Sequence, residues 1–272
     1  MNNNSQDIRT TIVRPPAVAG YFYPQDPAEL SRMVDNYLSE AHPEGPPPKA
    51  LIAPHAGYIY SGSIAATAYA TLKSISKSIS RVVLLGPAHR VYIRGLALSQ
   101  ATHFASPLGK IEVDQAAVQL LLQLPQVSVS DAAHQQEHSL EVHLPFLQLV
   151  LGNFLIVPLV VGEASPQEVA GVLELLWGDQ ETLIVISSDL SHYHDYETAR
   201  KIDLATTRAI ENLQPEKIGS QQACGCRPVC GLLQVARNKK LQVKTLDVRN
   251  SGDTAGSRDR VVGYGAYSFI QN

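Results

Sequence analysis

The sequence predicts an α/β protein in which a mostly parallel central sheet lies between two layers of helices. Short runs of branched apolar residues alternate along the chain with segments of helical periodicity, as expected for strands buried on both faces and joined by helices. The predicted strands are residues 50–53, 81–86, 153–162, 182–187 and 261–270. We therefore predict one three-layer α/β/α domain over residues 1–272.

Capping residues support the helices between these strands. Asp26-Pro27 and Ser165-Pro166 each combine a residue that accepts hydrogen bonds from free backbone N–H groups with a proline suited to the first helical position. Asp195 is predicted to cap a further helix, which continues from Glu197. Other predicted helices cover residues 61–72, 114–124 and 165–178.

Composition excludes several classes of function. The 272 residues are 44% hydrophobic and carry a formal net charge of −3, so the chain can bury a large core but lacks the basic surface of a nucleic-acid-binding protein. No apolar stretch approaches the roughly 20 residues that span a bilayer. The polar residues 1–11 lack the apolar centre of a signal peptide. We expect a cytoplasmic protein with neither nucleic acid nor membrane as a partner.

The three cysteines, Cys224, Cys226 and Cys230, all fall within seven residues. This clustering does not match a disulfide framework, and the spacing does not match a zinc finger. Cys224 precedes a predicted helix whose dipole favours a thiolate, which suits a metal ligand or a nucleophile. Cys230 is predicted to pack as a small apolar residue, and the role of Cys226 stays open.

Histidines follow three of the predicted strands. His55, His89 and His192 each lie within about five residues of a strand end, and Asp189 lies in the same loop as His192. The carboxyl ends of parallel strands meet at one edge of a sheet, so these loops can converge. Because neutral imidazole is a common ligand of zinc, iron and copper, the pattern predicts a shared metal-binding pocket.

A second histidine-rich stretch is HQQEHSLEVHLPF, residues 134–146. If it is helical, His134 and His138 share one face, and so do the two glutamates. The order of residues does not match the His-Glu-x-x-His motif of zinc enzymes. We predict that this stretch contacts substrate or orients metal ligands, the alternative being that it merely opens an apolar helix. The residues concerned are Glu137, His138, Glu141 and His143, together with Tyr58 beside His55.

Seven motifs run in order along most of the chain. They are RPPAVAGYFYP (14–24), APHAGYIYSG (53–62), LLGPAHR (84–90), EHSLEVHLPF (137–146), SSDLSH (187–192), ACGCRPV (223–229) and SGDTAGSRDRVVGYGAYS (251–268). Together they resemble the Memo-like family, also called system protein B of the AmmeMemoRadiSam set. That family is similar in fold to the class III extradiol ring-cleaving dioxygenases, which hold a non-haem ferrous ion.

The resemblance implies a metal site formed by His55, His89 and Cys224, with Asp189 and His192 in the same pocket. The dioxygenases have a carboxylate where the Memo-like family has the cysteine. A thiolate is a softer ligand, so copper is expected as a cofactor beside iron(II), and ring cleavage is not. His194 is expected to be peripheral.

Three functions fit these residues. The first is a metal-dependent oxidoreductase acting on a small molecule or peptide, with His192 as general acid/base or fourth ligand and Asp189 orienting it or binding substrate. The second is an adaptor that grips a peptide or partner protein in the same pocket without turnover. The third is metal-free nucleophilic chemistry at Cys224 with His192 as base. The resemblance also implies a functional link to a radical-SAM enzyme.

Overall fold

The computed structural model describes residues 11–271, and the polar stretch 1–10, for which no signal peptide is expected, lies outside them. The strands are β1 (Val13–Arg14), β2 (Ala50–Ala53), β3 (Arg81–Pro87), β4 (Leu96–Leu98), β5 (His103–Ser106), β6 (Gly109–Glu112), β7 (Val127–Val129), β8 (Leu155–Val161), β9 (Thr182–Ser187), β10 (His192–His194), β11 (Gln242–Asn250) and β12 (Val261–Ile270). The helices are α1 (Pro27–Glu40), α2 (Tyr58–Ala70), α3 (Gln115–Leu121), α4 (Asp131–Gln135), α5 (Leu144–Leu151), α6 (Pro166–Leu175), α7 (Tyr196–Glu211) and α8 (Cys226–Lys239).

The large sheet has a parallel centre and antiparallel flanks. Its path is β10-β12-β2-β9-β3-β8-β4-β7, and β11 pairs with β12. The four central strands, β2, β9, β3 and β8, are parallel and buried on both faces, as their continuous apolar runs predict. On the flanks, β12 is antiparallel to β2, β10 and β11, and β4 is antiparallel to β8. The prediction of a mostly parallel sheet is therefore confirmed for the centre and for the outer β4–β7 pair, but not for the pairings of β12 or for the β4–β8 pair.

The strands that the sequence did not reveal are short or half-exposed. β1 pairs with β5, and β5 forms a hairpin with β6, giving a separate three-stranded sheet. β11 is long but alternates exposed and partly buried residues, so it has no continuous apolar run. Its hairpin with β12 explains the antiparallel flank.

The predicted caps are present. Asp26 accepts a hydrogen bond from the backbone N–H of Glu29 at 2.8 Å, Ser165 forms a reciprocal capping box with Glu168, and Asp195 accepts from Thr198 at 3.0 Å. Helical periodicity was misleading only near residue 134. There α4 ends at Gln135 and a single 3₁₀ turn, Glu141–His143, leads into α5. The helical interpretation of residues 134–143 is therefore wrong, and the paired residues do not share helix faces.

One continuous hydrophobic cluster joins the central sheet to its flanking helices. α6 packs closely against α8, and glycine at position 231 allows this approach. A Cβ there would lie only 2.3 Å from a methyl group of Val169. α2 packs on β2 and β12, and α7 on β11 and β12. Within residues 11–271, every helix is too short or too polar to cross a bilayer.

Candidate metal centre

Three neighbouring strands carry the predicted site to one edge of the sheet. β2, β9 and β3 are adjacent and parallel, so the loops that follow them lie side by side. They deliver His55, Asp189 with His192, and His89, respectively. These residues border a cavity of about 580 Å³. Its lining is His55, His89, Arg90, His138, Asp189, His192, Tyr193, Ser220, Gln221 and Cys224.

Three imidazoles lie close together in this cavity. One ring nitrogen from each of His55, His89 and His138 lies within 4.8 Å of the other two. The ring centroids are 5.1 Å apart for His55 and His89, and 4.8 Å apart for His89 and His138. His138 was predicted to contact substrate or orient ligands, and the fold places it beside two predicted ligands.

Cys224 approaches the cluster from the segment that precedes α8. Its Sγ lies 3.3 Å from Nε2 of His55, and the backbone N–H of Asp189 points to the same sulfur at 3.3 Å. The segment can come so near because residue 225 is glycine: a Cβ there would lie 2.5 Å from the carbonyl oxygen of Ser187. The cavity thus offers two candidates for a third ligand beside His55 and His89, namely Cys224 and His138.

Hydrogen bonds determine the tautomer of His55. Its Nδ1 lies 2.6 Å from Oγ of Ser187, and that hydroxyl donates to the carbonyl oxygen of Ser139 at 2.6 Å. Since the hydroxyl proton is already used, Nδ1 of His55 must be the donor in the first bond. The neutral ring therefore leaves the lone pair of Nε2 available to a metal.

His89 is oriented by a carboxylate. Its Nδ1 lies 2.9 Å from Oε1 of Glu137, so Nδ1 donates and Nε2 stays available. Glu137 also accepts from the backbone N–H groups of His89, His138 and Ser139. Burial would raise the pKa of Glu137, but these hydrogen bonds, chiefly those of His89, outweigh it and lower the pKa to about 2. Carboxylate–histidine pairs of this kind are typical of metal sites.

Burial keeps the imidazoles of His55 and His138 neutral. It lowers the pKa of His55 well below its ordinary value, with a smaller contribution from the neighbouring histidines. Burial also lowers the pKa of His138 to about 4, and Glu137 only partly opposes it. Both rings are therefore in the neutral form that binds metals at pH 7.

Asp189 and His192 complete the wall formed by the loop after β9. Oδ1 of Asp189 accepts from the backbone N–H of His55 at 2.8 Å, and burial raises the pKa of this carboxyl to about 6. Nδ1 of His192 lies 2.8 Å from the carbonyl oxygen of Leu190, so Nδ1 donates and Nε2 is available for proton transfer. Asp203 on α7, which sequence reasoning missed, accepts from the backbone N–H of Ser191 at 3.0 Å and fixes this loop.

Four of the five predicted contact residues lie outside the cavity lining. Glu137 is one of them and bonds to His89, which lines the cavity; the other three have different partners. Glu141 is ion-paired with Arg14 and accepts from the Tyr23 hydroxyl at 2.5 Å. Nδ1 of His143 lies 2.7 Å from the Tyr69 hydroxyl. The hydroxyl of Tyr58 donates to the carbonyl oxygen of Val142 at 2.6 Å. Their observed bonds are internal to the protein, and their predicted contacts with substrate or ligands stay predictions.

Four lining residues were not found from the sequence. They are Arg90, Tyr193, Ser220 and Gln221. Arg90 and Tyr193 directly follow predicted site histidines, and that adjacency was the available signal; Ser220 and Gln221 offered none. His194 is in β10 and does not line the cavity. Cys226 and Cys230 border a neighbouring cavity of about 430 Å³ that also touches Cys224.

Comparison with known proteins agrees with this arrangement of motifs. A family model described as "Memo-like protein" matches residues 14–268. A MEMO1 family protein of Aquifex aeolicus is 37% identical, over 95% of this chain and 99% of the relative. Those of Thermotoga neapolitana and Aeropyrum pernix are 34% and 36% identical, each over 93% of this chain and 98% of the relative.

Among solved structures, the chain is similar to the uncharacterized protein JW3007 from Escherichia coli K12. The TM-score is 0.43 at 14% identity, covering 79% of this chain and 98% of that one. A score this low supports no inference about activity or ligands.

Proposed function

The chain belongs to the Memo-like protein family, and on that premise we propose that its histidine cavity binds iron(II) or copper and supports an oxidoreductase-type reaction. The observation that carries the proposal is the pair of available Nε2 atoms, on His55 and His89. Ser187 and Glu137 each occupy the opposite ring nitrogen. Two imidazoles that are oriented through Nδ1 and present Nε2 to one cavity suit a transition metal.

The spacing of the donor atoms supports a shared ion. Metal–nitrogen and metal–sulfur bonds near 2.1 and 2.3 Å place two ligands of one ion about 3 to 4 Å apart. The 3.3 Å between Sγ of Cys224 and Nε2 of His55 fits this range. The ring nitrogens of His55, His89 and His138 lie within 4.8 Å of one another. For all three to bind one ion, the rings would have to shift slightly inward.

Cys224 is the third ligand that we propose, with His138 as its rival. Burial raises the pKa of the Cys224 thiol well above its ordinary value, and the charge of Asp189 adds to this effect. Without a metal the sulfur would stay protonated and weakly nucleophilic, which disfavours metal-free thiol chemistry. Metal binding would release that proton, since only the thiolate is a ligand.

A bound ion would supply Lewis-acid or redox chemistry at its open coordination positions. Nε2 of His192 would exchange a proton with the substrate, because Nδ1 is held by the carbonyl oxygen of Leu190. Asp189 fixes the backbone of His55 and can itself take up a proton near its pKa of about 6. The substrate would be a small molecule or a peptide that enters the cavity.

Metal analysis of anaerobically purified protein, reconstituted with iron(II) or copper(I), tests the proposal. We expect near-stoichiometric metal in the wild type and in His194→Gln, which alters a histidine of β10 outside the cavity lining. His55→Ala and Cys224→Ser should lose it. Absence of metal from the wild type, or its full retention by His55→Ala, would overturn the proposal.

Cobalt(II) substitution separates the two candidate third ligands. A sulfur-to-cobalt charge-transfer band should be present in the wild type and in His138→Gln, and absent in Cys224→Ser. If the band is absent from the wild type and cobalt is lost only in His138→Gln, the third ligand is His138.

Three finer predictions accompany the proposal. The sequence predicts a fold related to the class III extradiol dioxygenases, a functional link to a radical-SAM enzyme and a cytoplasmic location. Co-purification of the chain with a radical-SAM partner from its native cells would test the second of these.

A further inference from the structure

Arg90 brings a positive charge to the cavity that no carboxylate neutralises. It lines the cavity directly after His89, and among residues 11–271 no Asp or Glu oxygen lies within 4.0 Å of its guanidinium. Arg90 shares this lining with His55, His89 and His138, so its charge faces the same cavity as the histidine cluster.

The acidic groups near Arg90 are engaged elsewhere. Glu137 accepts hydrogen bonds from His89 and from three backbone N–H groups, and Asp189 is bonded to the backbone of His55. The imidazoles of His55 and His138 are neutral. Arginine remains charged at any physiological pH, so Arg90 gives the cavity lining a cationic group that no carboxylate contacts directly.

Tyr193 adds a flat surface at the rim of the same cavity. Its φ of 63° lies in the left-handed region, which is costly for an aromatic residue. The side chain is 64% exposed. The guanidinium of Arg260 lies 5.3 Å from the ring centroid, and the exposed ring can stack on a planar ligand.

We propose that the substrate of this site is a small planar carboxylic acid, whose carboxylate pairs with Arg90 and whose flat body packs against Tyr193. A single guanidinium fork matches a single carboxylate, whereas a phosphate dianion generally recruits several cationic or N–H donors. A cavity of about 580 Å³ falls within the size range of small-molecule sites. The inference names the substrate class of the proposed metal site, and in that sense it rests on the proposed function.

Calorimetric titration of the purified full chain, with its metal content recorded, tests the inference. The probes are matched acid and amide pairs: benzoate with benzamide, cinnamate with cinnamamide, and 2-naphthoate with 2-naphthamide. The proteins are the wild type, Arg90→Gln, Arg90→Lys and the control Arg94→Gln, which alters an arginine of the same loop outside the cavity lining. Each titration is repeated at low and high salt.

In at least one pair we expect the acid to bind the wild type about tenfold more tightly than the amide, since a hydrogen-bonded charge pair contributes on this scale. Arg90→Gln should abolish the preference, Arg90→Lys should keep part of it, and Arg94→Gln should leave it intact. High salt should weaken acid binding only. No acid preference in any pair, or an unchanged preference in Arg90→Gln, would overturn the inference. Either result leaves metal stoichiometry unaffected, so it is distinguishable from failure of the metal site.

Discussion

Two buried glutamates four residues apart serve different regions of the molecule. Glu141 is fully buried and is bonded to Arg14, to the Tyr23 hydroxyl and to two backbone N–H groups, so all of its partners belong to the protein. Glu137 is equally buried, but one of its partners is His89, whose second nitrogen remains available. The hydrogen-bonded cluster around Glu141 has no free acceptor and stabilises the fold. The cluster around Glu137 leaves one ring nitrogen of His89 available and can therefore bind a ligand.

The largest expected effect follows removal of the satisfied carboxylate. Glu141→Ala leaves the Arg14 guanidinium buried without its counter-charge, and we expect the free energy of unfolding to fall by about 3–5 kcal/mol. Urea denaturation would measure this loss. Glu163→Ala, which breaks the exposed pair with Arg227, should cost no more than about 1 kcal/mol. Equal losses in the two variants would contradict the contrast between buried and exposed pairs.

Acidification should act on a histidine outside the cavity. Burial lowers the pKa of His143 to about 3, so between that value and its ordinary pKa the unfolded chain binds a proton that the folded chain does not. Stability is therefore lost as the pH falls below about 6.5, by about 3 kcal/mol from this residue between pH 7 and pH 4. Urea denaturation across this range should show a shallower pH dependence in His143→Gln. An unchanged dependence would exclude His143 as its source.

The carboxylate that orients a proposed ligand should matter to metal binding. In Glu137→Gln an amide NH₂ group replaces one carboxylate oxygen and cannot accept the hydrogen bonds that this oxygen received from backbone N–H groups. The side chain must therefore shift, and His89 loses its fixed orientation. We expect metal affinity to fall about 10- to 100-fold. Competition with a chelator would measure it, with Glu168→Gln in the α6 capping box as the control. Undiminished affinity in a folded Glu137→Gln variant would remove Glu137 from the metal site.

The smallest effect is expected at Asp203. Asp203→Asn keeps an oxygen that can accept from the backbone N–H of Ser191 but loses the charge of the acceptor, so stability should fall by only about 1 kcal/mol. NMR titration of the His192 ring would show whether the loop after β9 has shifted. An unaltered His192 titration together with wild-type stability would show that Asp203 does not position this loop.

Local patterns in the sequence were enough for the centre of the fold and for the loops of the site. Continuous apolar runs marked β2, β3, β8 and β9, and the rule that parallel strands end at one edge brought His55, His89 and Asp189 together. Cys224 came from the family resemblance, and the glycine after it allows its close approach. These features depend on residues that are neighbours in the chain or on motifs shared with a family, so they can be recognised from the sequence alone.

The segment around residue 134 shows where periodicity fails. Spacing of four residues suggested shared helix faces, but the chain turns between α4 and α5 because Glu137 accepts the backbone N–H groups of its own turn. Side-chain acceptors that bond nearby backbone compete with a helix in this way. As a result His138 joins the histidine cluster, while Glu141 joins Arg14, 127 residues away in the chain.

The sequence by itself determined the alternation of elements, the helix caps and the strand-end histidines, since each depends on local propensity or periodicity. Tertiary structure decided the antiparallel flanks, the tautomers set by Ser187 and Glu137, and the uncompensated charge of Arg90. It also decided which of two similar glutamates serves the cavity. These properties arise from pairs of groups far apart in the chain, and their burial and hydrogen bonding exist only once the chain has folded.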